Sequence, residues 1–171
     1  GHGAASASAL NERGLTPFMM LVSNNSLSSS DVRTACLAFL EADPSAAGVS
    51  DRAGKTVLVY LTAGNFSAVA PDTIEKLVHA FLRVIVPILS SKSDGESSSA
   101  TTKSAMHAFN STLFHLLEVI PNAEPGLAVM MDALPSQVAA ARNRYKRTAL
   151  EVYAGNGGED IAVLTSLLCN S

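Results

Sequence analysis

Residues 51–61 read Asp-Arg-Ala-Gly-Lys-Thr-Val-Leu-Val-Tyr-Leu, and this stretch carries the pattern from which we predict the fold. A Thr before an apolar run is a good helix N-cap, because its side-chain oxygen accepts a backbone N–H that lacks a partner inside the helix. The Gly two residues before Thr56 permits the positive φ that a tight turn needs. The stretch therefore predicts a tight turn followed directly by a helix.

The pattern returns around three other threonines, Thr16, Thr112 and Thr148. In every copy a large apolar residue stands two positions after the Thr. Asp or Asn stands five positions before it in three copies, and Gly two before it in two. Each interval accommodates one helical hairpin of about 33 residues plus an insertion. Because a single hairpin cannot bury both of its faces, the hairpins must stack. We predict an all-α fold, an α-solenoid of stacked helical hairpins joined by short turns.

The four copies resemble the ankyrin repeat, whose unit reads Asp-x-x-Gly-x-Thr-Pro-Leu-His-x-Ala-Ala, then a Gly and a second helix that ends in Leu-Leu. Thr16-Pro17-Phe18 matches this unit closely, and Phe114-His115 stands in place of Leu-His. The third copy lacks the Gly and the Asp. The resemblance covers about residues 11–171 and implies an ankyrin-like domain with units at about 11–50, 51–106, 107–142 and 143–171. The fourth unit adds four further matches: Thr148-Ala149-Leu150, Ala154, Asn156-Gly157-Gly158 and Leu167-Leu168.

Three further segments show helical periodicity. We expect a helix over Asp31–Ala42 with Ser30 as its N-cap, and another over Pro71–Leu89 that Pro87 kinks or ends. Apolar residues at helical spacing predict a last helix over Glu159–Cys169, whose apolar face could dock on another segment.

Two segments are compositionally biased toward small polar residues. Residues 1–10 (GHGAASASAL) are expected to be a tag remnant or linker. The Ser-rich stretch 90–104 lacks apolar periodicity, so we predict a loop there. This loop is either a solvated insertion or a phosphorylated regulatory segment.

Composition excludes several classes of protein. The chain has 171 residues, 47% hydrophobic residues and a formal net charge of −3, which fits one folded domain without the basic excess of a nucleic-acid binder. Its longest apolar run is far shorter than the ~20 residues of a membrane span. No leader sequence is recognisable, so we expect an intracellular, cytoplasmic location.

The residues that usually carry chemistry form no known catalytic or metal-binding motif. The four histidines lack metal-ligand spacing, and no nucleophile or phosphate-loop motif is present. We therefore expect no metal, no cofactor and no enzyme activity, although a helical enzyme stays a minor alternative. Cys36 lies on an apolar helix face and is expected in the core. The resemblance implies a structural role for His115, with its ring bonded to nearby backbone.

In ankyrin-like proteins the turn tips and the first helices form the binding surface. The resemblance therefore implies a non-catalytic protein–protein interaction domain, a scaffold or adaptor part of a larger protein. The alternative is a structural or autoinhibitory domain that packs within its own chain. Arg142, Arg144, Lys146 and Arg147 surround Tyr145. This cluster is either a solvated turn or a site for an anionic partner, with RNA or a nuclear-import receptor a third option. An acidic or phosphorylated protein segment is the expected partner, and the candidate contact residues are Arg13, Arg52, Lys55, Phe109, Arg144, Tyr145 and Arg147.

Overall fold

The computed structural model describes residues 8–64, 69–90, 96–119, 123–159, 163–165 and 167. Within these ranges the backbone forms helices and two isolated antiparallel bridges, Ser50 with Thr56 and Arg142 with Thr148, and no strand. The all-α prediction is confirmed. The helices are α1 Pro17–Val22, α2 Ser29–Ala42, a 3-10 helix Pro44–Gly48, α3 Val57–Ala63, α4 Pro71–Ser90, α5 Glu96–Leu117, α6 Glu124–Ala133, α7 Pro135–Ala140 and α8 Ala149–Gly155.

The helices pack in two rows. Helix α1 contacts α3, α3 contacts α5, and α5 contacts α8. In the second row α2 contacts α4, and α4 contacts α6 and the 3-10 helix. Between the rows lies one apolar core, in which the Phe18 ring of α1 stacks on the Phe39 ring of α2 with centroids 4.6 Å apart. The predicted ankyrin-like solenoid and the boundaries of its four units remain predictions.

Several helix ends follow from local side-chain chemistry. Thr16 accepts a hydrogen bond from the Met19 backbone N–H, and Pro17 occupies the first helical position of α1, where its missing N–H costs nothing. Helix α2 begins two residues earlier than predicted, because Ser28 rather than Ser30 is the N-cap. Ser28 and Asp31 form a reciprocal capping box that fixes this start. Helix α4 continues through Pro87 to Ser90.

The predicted Ser-rich loop is wrong over residues 96–104, which belong to α5. Residues 91–95 lie outside the described part of the chain, as do residues 1–7 and most of the predicted helix Glu159–Cys169. Helix α5 forms because its second half carries a continuous apolar stripe, and no Gly or Pro interrupts the residues before it. The stripe consists of Ala105, Ala108, Phe109, Thr112, Leu113 and Leu116, all buried.

Two expectations about the third repeat copy are corrected by α5. Thr112 is not a helix cap: it lies inside the helix, buried, with its Oγ1 2.8 Å from Thr56 Oγ1 of α3's N-cap. His107, where the third unit was expected to begin, also stands within α5. The physical reason is that this copy lacks the Asp or Asn and the Gly that would hold a tight turn, so the helix runs through the aligned position.

Candidate functional site

Three turns with the same hydrogen bonding lead into α1, α3 and α8. We call residues 11–16, 51–56 and 143–148 the first, second and third turns. In each, the opening Asn or Asp accepts two backbone N–H groups through Oδ1, from the residues two and four positions later. The fourth position adopts a positive φ, 76° at Gly14, 75° at Gly54 and 61° at Lys146. The short Asx side chain thus replaces the backbone partners that a turn lacks.

Each of the first two turns is covered by a side chain from further along the chain. A Cβ added to Gly14 would lie 3.3 Å from Arg52 Cγ, so the Arg52 side chain covers the first turn. His107 of α5 covers the second turn, where its Nε2 donates to the Ala53 carbonyl oxygen at 2.9 Å. The third turn faces α5 across a groove. We call the exposed side formed by the three turns, Arg142 and His107 the basic edge.

Positive charge is concentrated on the basic edge. Residues 11–16, 51–56 and 142–148 hold seven of the 12 Lys and Arg residues of the chain but only two of its 15 Asp and Glu residues, Glu12 and Asp51. The Asp51 carboxylate is already occupied, since Oδ1 accepts two backbone N–H groups and Oδ2 accepts the Tyr60 hydroxyl at 2.8 Å. Burial and this hydrogen bond raise the pKa of Tyr60 to about 12, so the phenol stays protonated and keeps donating. The edge is therefore cationic on a chain that is acidic overall.

Six of the seven residues predicted for partner binding lie exposed on this edge. Tyr145 is the most exposed large apolar side chain among the described residues, at 64%. Arg144 Cζ stands 4.8 Å from the centroid of the Tyr145 ring and Arg147 Cζ 5.9 Å, so both guanidinium groups associate with its face. The six residues are Arg13, Arg52, Lys55, Arg144, Tyr145 and Arg147.

Phe109, the seventh predicted residue, is wrong as a contact residue. Its side chain is fully buried in the apolar stripe of α5. The prediction placed Phe109 at a turn tip, but no turn forms at that point of the chain.

A groove of about 530 Å³ separates α5 from the third turn. One wall is the polar face of α5, and the other is the start of the third turn with Arg142. The predicted set included only Arg144 and Tyr145 of its lining. The other polar residues follow helical spacing along α5, a signal that becomes visible once residues 107–118 are treated as one helix. They are His107, Asn110, Ser111, His115 and Glu118. Arg142 and Asn143 line the opposite wall.

Two groove residues are held in place by backbone oxygens. His115 Nδ1 donates to the Ser111 carbonyl oxygen at 2.7 Å, as expected for a ring bonded to nearby backbone. Arg142 Nη1 donates to the carbonyl oxygens of Ala139 and Ala141, both at 2.8 Å. Oδ1 of Asn110 is buried without a hydrogen-bond partner, a state that costs about 1–3 kcal/mol. The groove wall thus contains one unsatisfied polar atom beside two fixed side chains.

The described residues offer few side chains suited to covalent chemistry or metal binding. Cys36 is buried in the core as predicted, and burial raises the pKa of its thiol to about 12, which keeps it protonated. Within the described ranges, no three His, Cys, Asp or Glu side chains are grouped so that they could hold a metal ion. The helices that the structure describes lack the combined length and apolar character needed to cross a bilayer.

Neither protein-family models, nor curated proteins, nor solved structures give a match to this chain.

Proposed function

We propose that this chain is a non-catalytic protein-interaction domain, which binds an acidic segment of a partner protein along the basic edge. The observation that carries the proposal is the concentration of seven exposed cations on one edge, six on its three turns and Arg142 just before the third, in a chain of net charge −3. Random placement of charge on an acidic domain would disperse them. Complementary charge speeds association and fixes orientation, while exposed Tyr and Arg are the residue types most often found as binding hot spots.

The resemblance to ankyrin repeats supports the same assignment, since turn tips of that family form its binding surface. An ankyrin-like solenoid, an intracellular location and a place within a larger protein belong to this proposal. The alternative, a domain that packs against its own chain, relied on the apolar face of the last predicted helix. Most of that helix lies outside the described residues, so no contact in the structure favours it.

The proposal predicts that Arg52→Ala/Arg144→Ala/Tyr145→Ala loses its partner while keeping its fold. The domain is used to capture proteins from a lysate of the source, and captured proteins are then purified for direct affinity measurement. We expect the triple variant to raise the Kd at least about tenfold, because it removes two cations and one hot-spot aromatic. The thermal midpoint should change little, because all three side chains are exposed.

A matched control removes two cations elsewhere. Lys76→Ala/Arg83→Ala changes the net charge by the same amount on the exposed face of α4, away from the turns. This variant should bind as the wild type does. An equal loss of affinity in both variants would mean that net charge alone attracts the partner. A triple variant that binds as tightly as the wild type would contradict the assignment of the basic edge as the binding surface.

A further inference from the structure

We propose that the groove between α5 and the third turn receives a phosphorylated side chain of the partner peptide. This inference rests on the proposed function and adds the chemistry of the ligand. Donors come from both walls: Arg142 and Arg144 line one, and the Ser111 hydroxyl lies on the other beside the rings of His107 and His115, whose Nε2 and Nδ1 N–H groups already donate to backbone oxygens. A phosphomonoester has three acceptor oxygens directed to different sides, whereas a carboxylate has two oxygens in one plane. A groove with donors on opposite walls is therefore suited to the phosphoryl group.

The two arginines of the groove are oriented before a ligand arrives. Arg142 is anchored through Nη1 by two carbonyl oxygens, which leaves its other N–H groups for a ligand. Arg144 lies over the Tyr145 ring, an arrangement that holds the guanidinium plane while its edge stays available. Orientation in advance lowers the entropy lost on binding.

The charges around the groove favour an anion. Among the described residues, the ion pairs that form involve Arg33, Lys76 and His79 with carboxylates of α4, so neither groove arginine is neutralised by one. Glu118 is the single carboxylate of the lining, and Glu151, whose pKa the charge of Arg142 helps to lower, is not part of the lining. Arg–phosphate contacts are charge-assisted and bidentate, and a phosphoryl dianion gains more from two arginines than a single carboxylate does.

The test uses an array of immobilised peptides with varied flanking sequences. Each peptide is made in three forms, with phosphoserine, glutamate or serine at its centre, and is probed with the labelled 171-residue chain. We expect phosphoserine forms to bind at least about tenfold more tightly than their glutamate counterparts. Arg142→Ala/Arg144→Ala should remove this preference.

The control lies on the same turn. Lys146→Asn/Arg147→Ala removes the same charge from side chains that do not line the groove, with Asn at position 146 because it tolerates a positive φ. Because both side chains belong to the basic edge, this control should bind the phosphoserine and glutamate forms less tightly by the same factor, and so keep the phosphoserine preference. Thermal unfolding of both variants shows whether loss of the Arg142 carbonyl contacts affects the fold, and Arg144→Ala alone tests the groove without touching those contacts.

The outcomes separate this inference from the proposed function. Equal binding of phosphoserine and glutamate forms, with dependence on Arg52 and Tyr145, would overturn the phosphate inference and leave the acidic-peptide function standing. Loss of preference in the Lys146/Arg147 control would place the phosphoryl group outside the groove. If no form binds and the chain instead retains single-stranded RNA, both proposals are wrong.

Discussion

Gly14, Gly54 and Lys146 occupy the same position in three equivalent turns, and each has a positive φ. Glycine adopts this conformation without steric cost, whereas a residue with a Cβ is disfavoured there by about 1–2 kcal/mol. The two glycines also differ in what surrounds them. A Cβ on Gly54 would lie 2.0 Å from His107 Cδ2, but a Cβ on Gly14 would meet only the flexible Arg52 side chain at 3.3 Å.

Gly54→Ala is therefore expected to destabilise the protein by about 2 kcal/mol or more, and Gly14→Ala by about 1 kcal/mol. The larger cost at position 54 comes from displacing the His107 ring as well as from the backbone. Urea unfolding measures both values. Gly155→Ala is the control, since nothing lies within 4 Å of its added Cβ and Ala favours the helix. Equal effects at positions 14 and 54 would show that His107 does not press on the second turn.

At the scale of elements, α5 is where sequence and structure differ most. The alignment on Thr112 predicts a turn before this residue. It is misleading because a Thr followed by apolar residues occurs both at helix N-caps and inside helices. A turn of this kind needs an Asx at its first position and a Gly at its fourth. In this copy His107 and Asn110 occupy those two positions instead. Without a turn-forming Asx and Gly, the helical spacing of apolar residues over 105–116 decides the local structure, and the Phe109 side chain packs in the core.

The Thr56–Thr112 contact joins α3's N-cap to the middle of α5 and predicts strong non-additivity. Thr56→Val or Thr112→Val leaves the other buried hydroxyl without its partner, at a cost of about 1–3 kcal/mol. The double variant Thr56→Val/Thr112→Val should cost less than the sum of the two, because both hydroxyls are gone. A double-mutant cycle by urea unfolding measures the coupling. Additive effects would mean that the two hydroxyls do not depend on each other.

The capping box of α8 predicts a pH dependence. Thr148 donates its backbone N–H to Glu151 Oε2 at 2.6 Å, and this hydrogen bond is the main reason that the pKa of Glu151 is lowered. A lowered folded-state pKa gives stability that is present above the unfolded pKa of about 4.3 and is lost as the pH falls through the folded value. Glu151→Gln should therefore be less stable than the wild type at neutral pH.

The difference between Glu151→Gln and the wild type should shrink as the solution is acidified through that range. Urea unfolding midpoints measured across pH test this expectation. Glu12→Gln is the control, because it also removes one carboxylate, at an exposed position. A difference that persists unchanged in acid would show that the carboxylate charge does not contribute.

On the scale of the whole molecule, the charge of the basic edge is opposite in sign to the net charge. Solvent-exposed charges are screened beyond about 8 Å at physiological ionic strength, so the edge acts on a partner mainly at close approach. Partner affinity should fall with added salt, and the Arg52/Arg144/Tyr145 triple-alanine variant should show a weaker salt dependence. Titration of affinity against ionic strength measures both slopes. Parallel slopes would mean that the edge does not supply the electrostatic attraction.

Local sequence is enough to specify the all-α class, the three Asx turns and the exposed basic side chains on them. These features depend on neighbours within a few residues: an Asx oxygen, a residue that accepts positive φ and a Thr that begins a helix. Tertiary structure decided which side chains meet. Arg142, His115 and Ser111 come to one groove only because α5 packs beside α8 and its preceding turn, a contact between segments distant in the chain. Local pattern could not show this, since the pairing follows from burying apolar stripes against each other and not from the polar residues that the packing brings together.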